Sequence, residues 1–303
     1  MTPMRGMCSM WKRRGDNFLD VIFTGECGRL AMSEMEVPSM DLKQPIPSTG
    51  SLRQLPPHDG RIAEGGVRVN GGSAKSVAIT VIIVVFNGAE DIKSSVSRIS
   101  ALGRDDLELI VIDGGSKDGT VEFLQACDSH IGYWVSEKDR GIYDAMNKGW
   151  ALAALNSHVI YMGVGDYLIS LPSTSELQPE VILYGDVLLG DYLFKSGLSA
   201  RLKLGNTLHH QALLIPKALH PTPPFDVSFK VYADYDFNLR LYKQRCTFKP
   251  SAALKGYALP GGVSASIGIT ETSAVVCKNY GVVWAVLSAL HSALVALKSK
   301  LRP

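Results

Sequence analysis

A chain of 303 residues with 31 Lys and Arg against 29 Asp and Glu is close to neutral, which leaves no electrostatic footprint for a nucleic acid or a wholly acidic substrate. With 46% hydrophobic residues it can bury a sizeable core, so a globular protein is expected. Five cysteines, Cys8, Cys27, Cys127, Cys246 and Cys277, are scattered without a C-x-x-C pair; this argues against a disulfide frame or zinc site and for reduced thiols in the cytoplasm.

Residues 1–75 hold seven of the nine methionines and a scatter of prolines and glycines, with no sustained period of 2 or 3.6, and read as a disordered tail. Lys12, Arg13 and Arg14 before Phe18 to Phe23 have the order of a signal peptide, but Asp20 breaks an apolar run that is already short, so export is not expected. The tail is either without catalytic role or a tether for a partner.

From residue 76 the pattern changes. Ala78 to Val85 is a continuous β-branched run, as in a strand buried on both faces of a parallel sheet. The order continues as a helix over 89–102, a strand over 107–112, a helix over 121–127, a strand over 133–136, a helix over 142–154 and a strand over 158–162. Such alternation predicts an open α/β sheet flanked by helices, spanning 76–268. Ligands of these sheets bind beyond the carboxyl ends of the strands, where this sequence places Asn87, Asp113, Glu137 and Asp166.

Beyond 268, Val283, Leu287, Leu290, Leu294, Leu297 and Leu301 recur at steps of three and four, predicting an amphipathic helix within a C-terminal segment 269–303. The apolar stretch is too short to span a bilayer. Its apolar face, followed by Lys298, Lys300 and Arg302, suits peripheral contact with a membrane or packing against the main domain or a second subunit.

Four motifs follow in order, each at a strand end: Val84-Val85-Phe86-Asn87, Asp113-Gly114-Gly115-Ser116-Lys117-Asp118-Gly119-Thr120, Ser136 through Gly149 (SEKDRGIYDAMNKG), and Met162-Gly163-Val164-Gly165-Asp166. As a set they resemble the inverting family 2 glycosyltransferases of GT-A fold, particularly those that build bacterial surface polysaccharides. The resemblance covers about 190 residues. It implies a mixed sheet of GT-A type, a nucleotide-sugar donor and an acceptor hydroxyl, with a lipid-linked saccharide at the inner face of the plasma membrane as acceptor.

The resemblance assigns Asp113 to the nucleoside, and glycines after it permit a tight turn against a ligand. Asn87 lies on the same rim; Glu90 is either a base contact or an exposed first-turn acid answering the helix dipole. Asp118 reads as a cap for the helix that begins near Gly119. Lys138 and Arg140 beside the Gly141 turn suit a diphosphate, and Asp144 and Asn147 share one helical face beside it. Asp166 occupies the place of the family's metal-binding acids, with Mg2+ or Mn2+ as the implied cofactor; Val164 and Gly165 replace the other acids, so diphosphate oxygens and water would complete the coordination.

Inversion needs a base to take the proton of the attacking hydroxyl, and Asp234 holds the matching position in Val231 to Arg240. Asp236 reads as a solvated acid or helix-dipole partner, and Arg240 as a partner of a nearby acid or of the diphosphate. Asp186 is placed near the donor sugar by analogy. His209, His210 and Gln211 resemble a His-Gln segment that shapes the acceptor pocket; placed just before a strand, the two rings would point to opposite faces and could not share a metal. A dehydrogenase is excluded by the lack of G-x-G-x-x-G after the first strand, and a nucleotidyltransferase by the lack of a basic glycine-rich loop there. The remaining alternative is a non-catalytic nucleotide-sugar-binding subunit of a membrane assembly.

Overall fold

The structure, a computed structural model, describes residues 54–71, 76–260 and 269–300. Ten strands form one mixed sheet. Four parallel strands make its centre: β2 (Ile79–Val85), β3 (Leu107–Asp113), β4 (Tyr133–Glu137) and β5 (His158–Gly163), in the spatial order β4, β3, β2, β5. All seven residues of β2 and of β3 are buried, because helices cover both faces.

Alternation divides those residues between the two faces. Val81, Ile83 and Val85 join α1 (Ala89–Ala101) and α2 (Thr120–Ala126) in one apolar layer. Ile82 and Val84 join α3 (Ile142–Leu152) and α4 (Ala233–Lys243) in the other. Helix α3 lies so close that a Cβ on Gly149 would stand 2.4 Å from Ile82 Cγ2, which demands glycine there.

The far half of the sheet holds β6 (Tyr167–Ser170), β7 (Val181–Leu189), β8 (Tyr192–Phe194), β9 (Leu213–Pro216) and β10 (Thr247–Ala258). Strand β9 runs antiparallel to both β5 and β7, and β10 runs parallel to β7.

One expected boundary shifts. Residues 54–71, assigned to the tail, contribute β1 (Arg61–Gly65), which pairs antiparallel with β4 at the sheet edge. Charge, not apolar periodicity, holds this segment: Arg68, 3% exposed, donates from Nε and Nη2 to the two carboxylate oxygens of Glu108 at 2.7 and 2.6 Å, and Arg61 Nε reaches Glu137 at 3.1 Å. The rest of the proposed tail, 1–53 and 72–75, lies outside the described residues. At the other end, α5 (Ile269–Tyr280) is no appendage, since Val275 and Val276 enter the core shared with α4. Helix α6 (Val282–Lys300) packs on α5.

His220 closes one corner of that core among Trp150, Tyr161 and Phe237. Its Nδ1 donates to the Pro216 carbonyl at 3.0 Å, and burial pushes its pKa down to about 3. The folded state therefore resists a proton that the unfolded chain accepts near pH 6.5, so this contribution is full above pH 6.5 and is lost as the pH falls toward 3. Urea unfolding is expected to show roughly 2 kcal/mol less stability at pH 5 than at pH 7 from this group; equal or greater stability at pH 5 would contradict the assignment.

Candidate active site

The parallel register sets the rim. Val85 pairs with Asp113, Asp113 with Ser136 and Val84 with Gly163, so the loops after β2, β3, β4 and β5 open side by side. What these loops present differs from what the residue types alone suggest.

Asp113 does not face the rim as expected. Its carboxylate is fully buried and accepts from the amides of Gly115 (3.1 Å) and Ser116 (2.9 Å), and from the hydroxyls of Ser116 and Ser136. The residue shapes the turn and ties β3 to β4. The surface of that turn belongs to others. Phe86, 64% exposed, and Ile62 of β1, 57% exposed, stand beside the flat backbone of Gly114 and Gly115: a Cβ on Gly114 would lie 3.3 Å from the Phe86 ring and 2.7 Å from Asp139 Oδ2, and one on Gly115 would lie 3.5 Å from Ile62 Cδ1. The result is an apolar slot with a carboxylate at its edge. Burial pushes the Asp139 carboxyl up, and Asp144 and Asp113 add to this against the Gly141 amide and Lys148.

Asn87 adopts a left-handed backbone (φ 50°) and its Oδ1 accepts from the Lys117 amide at 3.0 Å, fixing the loop beside the slot. Glu90 points outward and pairs with Lys93 at 2.6 Å, the dipole reading of that acid. Asp118 bridges two helix starts, accepting from the amides of Ala89 (3.0 Å) and Thr120 (3.2 Å).

Lys138 is exposed at the end of β4. Arg140 pairs with Asp144 at 2.7 Å across one turn of α3. Burial pushes the Asp144 carboxyl up, but Arg140 outweighs it and holds the group below the usual range. Arg140, Asp144, Asn147, Arg240 and Lys278 line one cleft of about 510 Å³. Arg140 and Asp144 hold each other, and the other three are held by neighbouring groups. Asn147 clasps the backbone of Phe225, donating to its carbonyl at 2.8 Å and accepting from its amide at 3.0 Å. Arg240 donates to the carbonyls of Pro223 and Pro224 and lies 2.9 Å from Asp236. Asp236 is not solvated: it is fully buried and also meets Lys278 (3.0 Å) and Asn279 (2.8 Å). Asp186, on β7, accepts from the Ser196 amide at 3.1 Å and steadies the segment after β8.

Asp234 stands in the first turn of α4 with its side chain 15% exposed. Its contacts are long. Tyr143 of α3 donates to Oδ1 at 3.3 Å while also donating to the Val231 carbonyl; Asn206 donates to Oδ2 at 3.3 Å, and His210 Nδ1 lies 3.5 Å from Oδ2. The helix is capped by Tyr232, not by this carboxylate.

His209 and His210 are not strand neighbours. They enter a single 3-10 turn, His210–Ala212, before β9, and their rings stack at 5.4 Å. Burial, then the adjacent His210, pushes His209 down to about 4, which keeps it neutral. Its Nδ1–H donates to Gln211 Oε1, and Gln211 Nε2 donates to Asp166 at 2.8 Å. A continuous path thus runs from Asp166 through Gln211, His209 and His210 to Asp234.

Asp166 is 6% exposed. Besides Gln211, its carboxylate accepts from the amides of Gly163 (2.9 Å) and Leu259 (2.9 Å). Burial pushes its pKa up despite these donors. Its oxygens bind β5, the His-Gln turn and the end of β10 together rather than facing an open site. Among the described residues no group of three or more His, Cys, Asp or Glu side chains could hold a metal ion. The expected convergence of Asp113, Asp166 and Asp234 around one diphosphate is not what forms: Asp234 alone of the three is open. Sequence reasoning missed Ile62, Phe86, Asp139, Tyr143 and Asn206; Phe86, Asp139 and Tyr143 lie inside the motifs it quoted, whereas Ile62 and Asn206 carry no local signal.

Residues 80–163 match the model of the family Glycosyl transferase family 2. A PGL/p-HBAD biosynthesis glycosyltransferase of Mycobacterium tuberculosis is 29% identical over 177 residues, 54% of this chain and 69% of that protein. An uncharacterized glycosyltransferase of the same organism is 43% identical over 77 residues, 25% of this chain and 29% of that one. Among solved structures, the mannosyltransferase PcManGT of Pyrobaculum calidifontis, in complex with GDP-Man and Mn2+, is 16% identical, with 76% of this chain and 77% of that chain covered at a TM-score of 0.49. S. aureus TarS in complex with UDP-GlcNAc is 13% identical, with 73% and 71% covered at a TM-score of 0.48.

Because Asp166 is buried and satisfies three donors from separate segments, Asp166→Ala is expected to destabilise the fold by about 1–3 kcal/mol in urea unfolding. Unchanged stability, with loss of a Mn2+ effect on ligand affinity, would return the residue to a metal-binding role.

Proposed function

We propose, from the premise that this chain is a family 2 glycosyltransferase, that it moves a sugar from a nucleoside diphosphate sugar to an acceptor hydroxyl with inversion at the anomeric carbon. The observation that carries this reading is the state of Asp234: a carboxylate in the first turn of α4, anchored by Tyr143, Asn206 and His210 at long contacts that leave it able to accept a proton.

In this reading the base stacks on Phe86 beside Ile62, and Asp139 accepts from its polar edge or the ribose. Lys138, Arg140 and the first amides of α3 meet the diphosphate, since a helix amino end favours an anion. Asp234 then takes the proton as the acceptor oxygen forms its bond to the anomeric carbon, and the carbon–oxygen bond to the diphosphate breaks, the electron pair leaving with the nucleoside diphosphate. His210 steadies the carboxylate and, with the Asn206 side, borders the acceptor. Mg2+ or Mn2+ held by Asp166 does not fit the residues present, because that carboxylate is enclosed by protein donors; no step is assigned to it.

In the same proposal the acceptor is a lipid-linked saccharide at the cytoplasmic face of the membrane, as the family resemblance implies; the relative named for PGL/p-HBAD biosynthesis supports a biosynthetic glycosyl transfer. Asp234→Asn keeps the side-chain shape and one acceptor oxygen but removes the base, and is expected to lower transfer by about 10² to 10⁴ with donor affinity retained. Screening UDP- and GDP-sugars for turnover with parent and variant tests this; unchanged turnover in the variant would end the assignment.

A further inference from the structure

Helix α6 carries its apolar side outward. Val283, Val286, Leu287, Leu290, Leu294 and Leu297 are between 43% and 73% exposed, whereas Ser288, Ser292 and Val295 are buried. Small residues face the protein because the contact is close: Ser288 Oγ donates to the Leu204 carbonyl at 2.8 Å. The sequence periodicity found this face but not its direction. Six large apolar side chains exposed along one helix face make a patch of the kind that marks an interaction surface.

We infer that this ridge lies on a membrane surface bearing anionic headgroups. Charge decides the occupant. No charged residue lies between Val282 and Leu297, Lys298 and Lys300 follow, and no Asp or Glu occurs after Glu271. At the start of the helix Tyr280 and Trp284 pack against the protein core, with Lys203 over their rings at 4.9 and 4.7 Å. The ridge itself carries no acid, and cations follow its C-terminal end. A parallel second copy would set those cations against each other, whereas anionic headgroups accept them. The helix lies along the surface: among the described residues none is long and apolar enough to cross a membrane.

The placement has a consequence for the proposed transfer. Leu204, on which α6 rests, is two residues from Asn206, which donates to Asp234. The surface would bring a lipid-borne acceptor to the side where the proposed base is held. The membrane contact itself does not depend on that reading.

The test is sedimentation of the full chain with phosphatidylcholine vesicles, with and without phosphatidylglycerol. The parent is expected to sediment with the phosphatidylglycerol vesicles and to elute as a monomer without them. L290S/L294S, which alters only outward positions, should lower the bound fraction at least about tenfold, and K298E/K300E should remove the preference for phosphatidylglycerol. Unfolding temperature and donor hydrolysis in solution, both unchanged, separate loss of docking from loss of fold or of the transfer site; should L290S/L294S not keep the parent's unfolding temperature, K298E/K300E decides alone. No vesicle binding by the parent, binding undiminished by the substitutions, or a dimer that L290S/L294S dissolves would overturn the inference.

Discussion

Asp234 ties two helices together. Helix α4 carries the residue in its own first turn, and α3 sends Tyr143 across to it from just beyond Gly141. The aligned peptide dipoles of α4 favour a negative charge in its first turn, and the side-chain contacts to the carboxylate are long. On its other side Asn206 and His210 hold it in place. His210 in turn stacks on His209, which bonds Gln211, which bonds Asp166 at the β5–β6 turn. The position of the open acid is thereby fixed from the sheet as well as from the helices.

The same path explains why Asp166 is closed. A carboxylate that receives two amides and a glutamine side chain while buried spends most of its acceptor capacity on joining three segments. Asp113 does the equivalent for the turn after β3. In this protein two acids of the rim hold its turns together, and the third, Asp234, is the one the proposed function uses as base.

The central strands were legible because seven consecutive apolar or β-branched residues, as in Ile79–Val85, have few other homes than a doubly covered sheet. The rim was legible for the same reason, since strand ends fix which residues lie there. What each rim carboxylate bonds was not legible, because a donor such as Leu259 lies 93 positions from Asp166. The order of 54–71 was hidden in the same way. Arg68 and Glu108 are 40 positions apart and Arg61 and Glu137 are 76 apart, so neither pair leaves a periodic trace. For His209 and His210 the local conformation was misjudged: a 3-10 turn sets the rings together where a strand would part them. In α6 the period was right, but only packing could show that serines face in and leucines out.

The central claim is that Asp234 supports a single displacement in which the acceptor oxygen attacks opposite the leaving diphosphate. The most direct measurement is the anomeric configuration of the product, read by proton NMR immediately after transfer from a donor of known configuration. The account predicts a product of opposite configuration to the donor; a product that keeps the donor's configuration would contradict it.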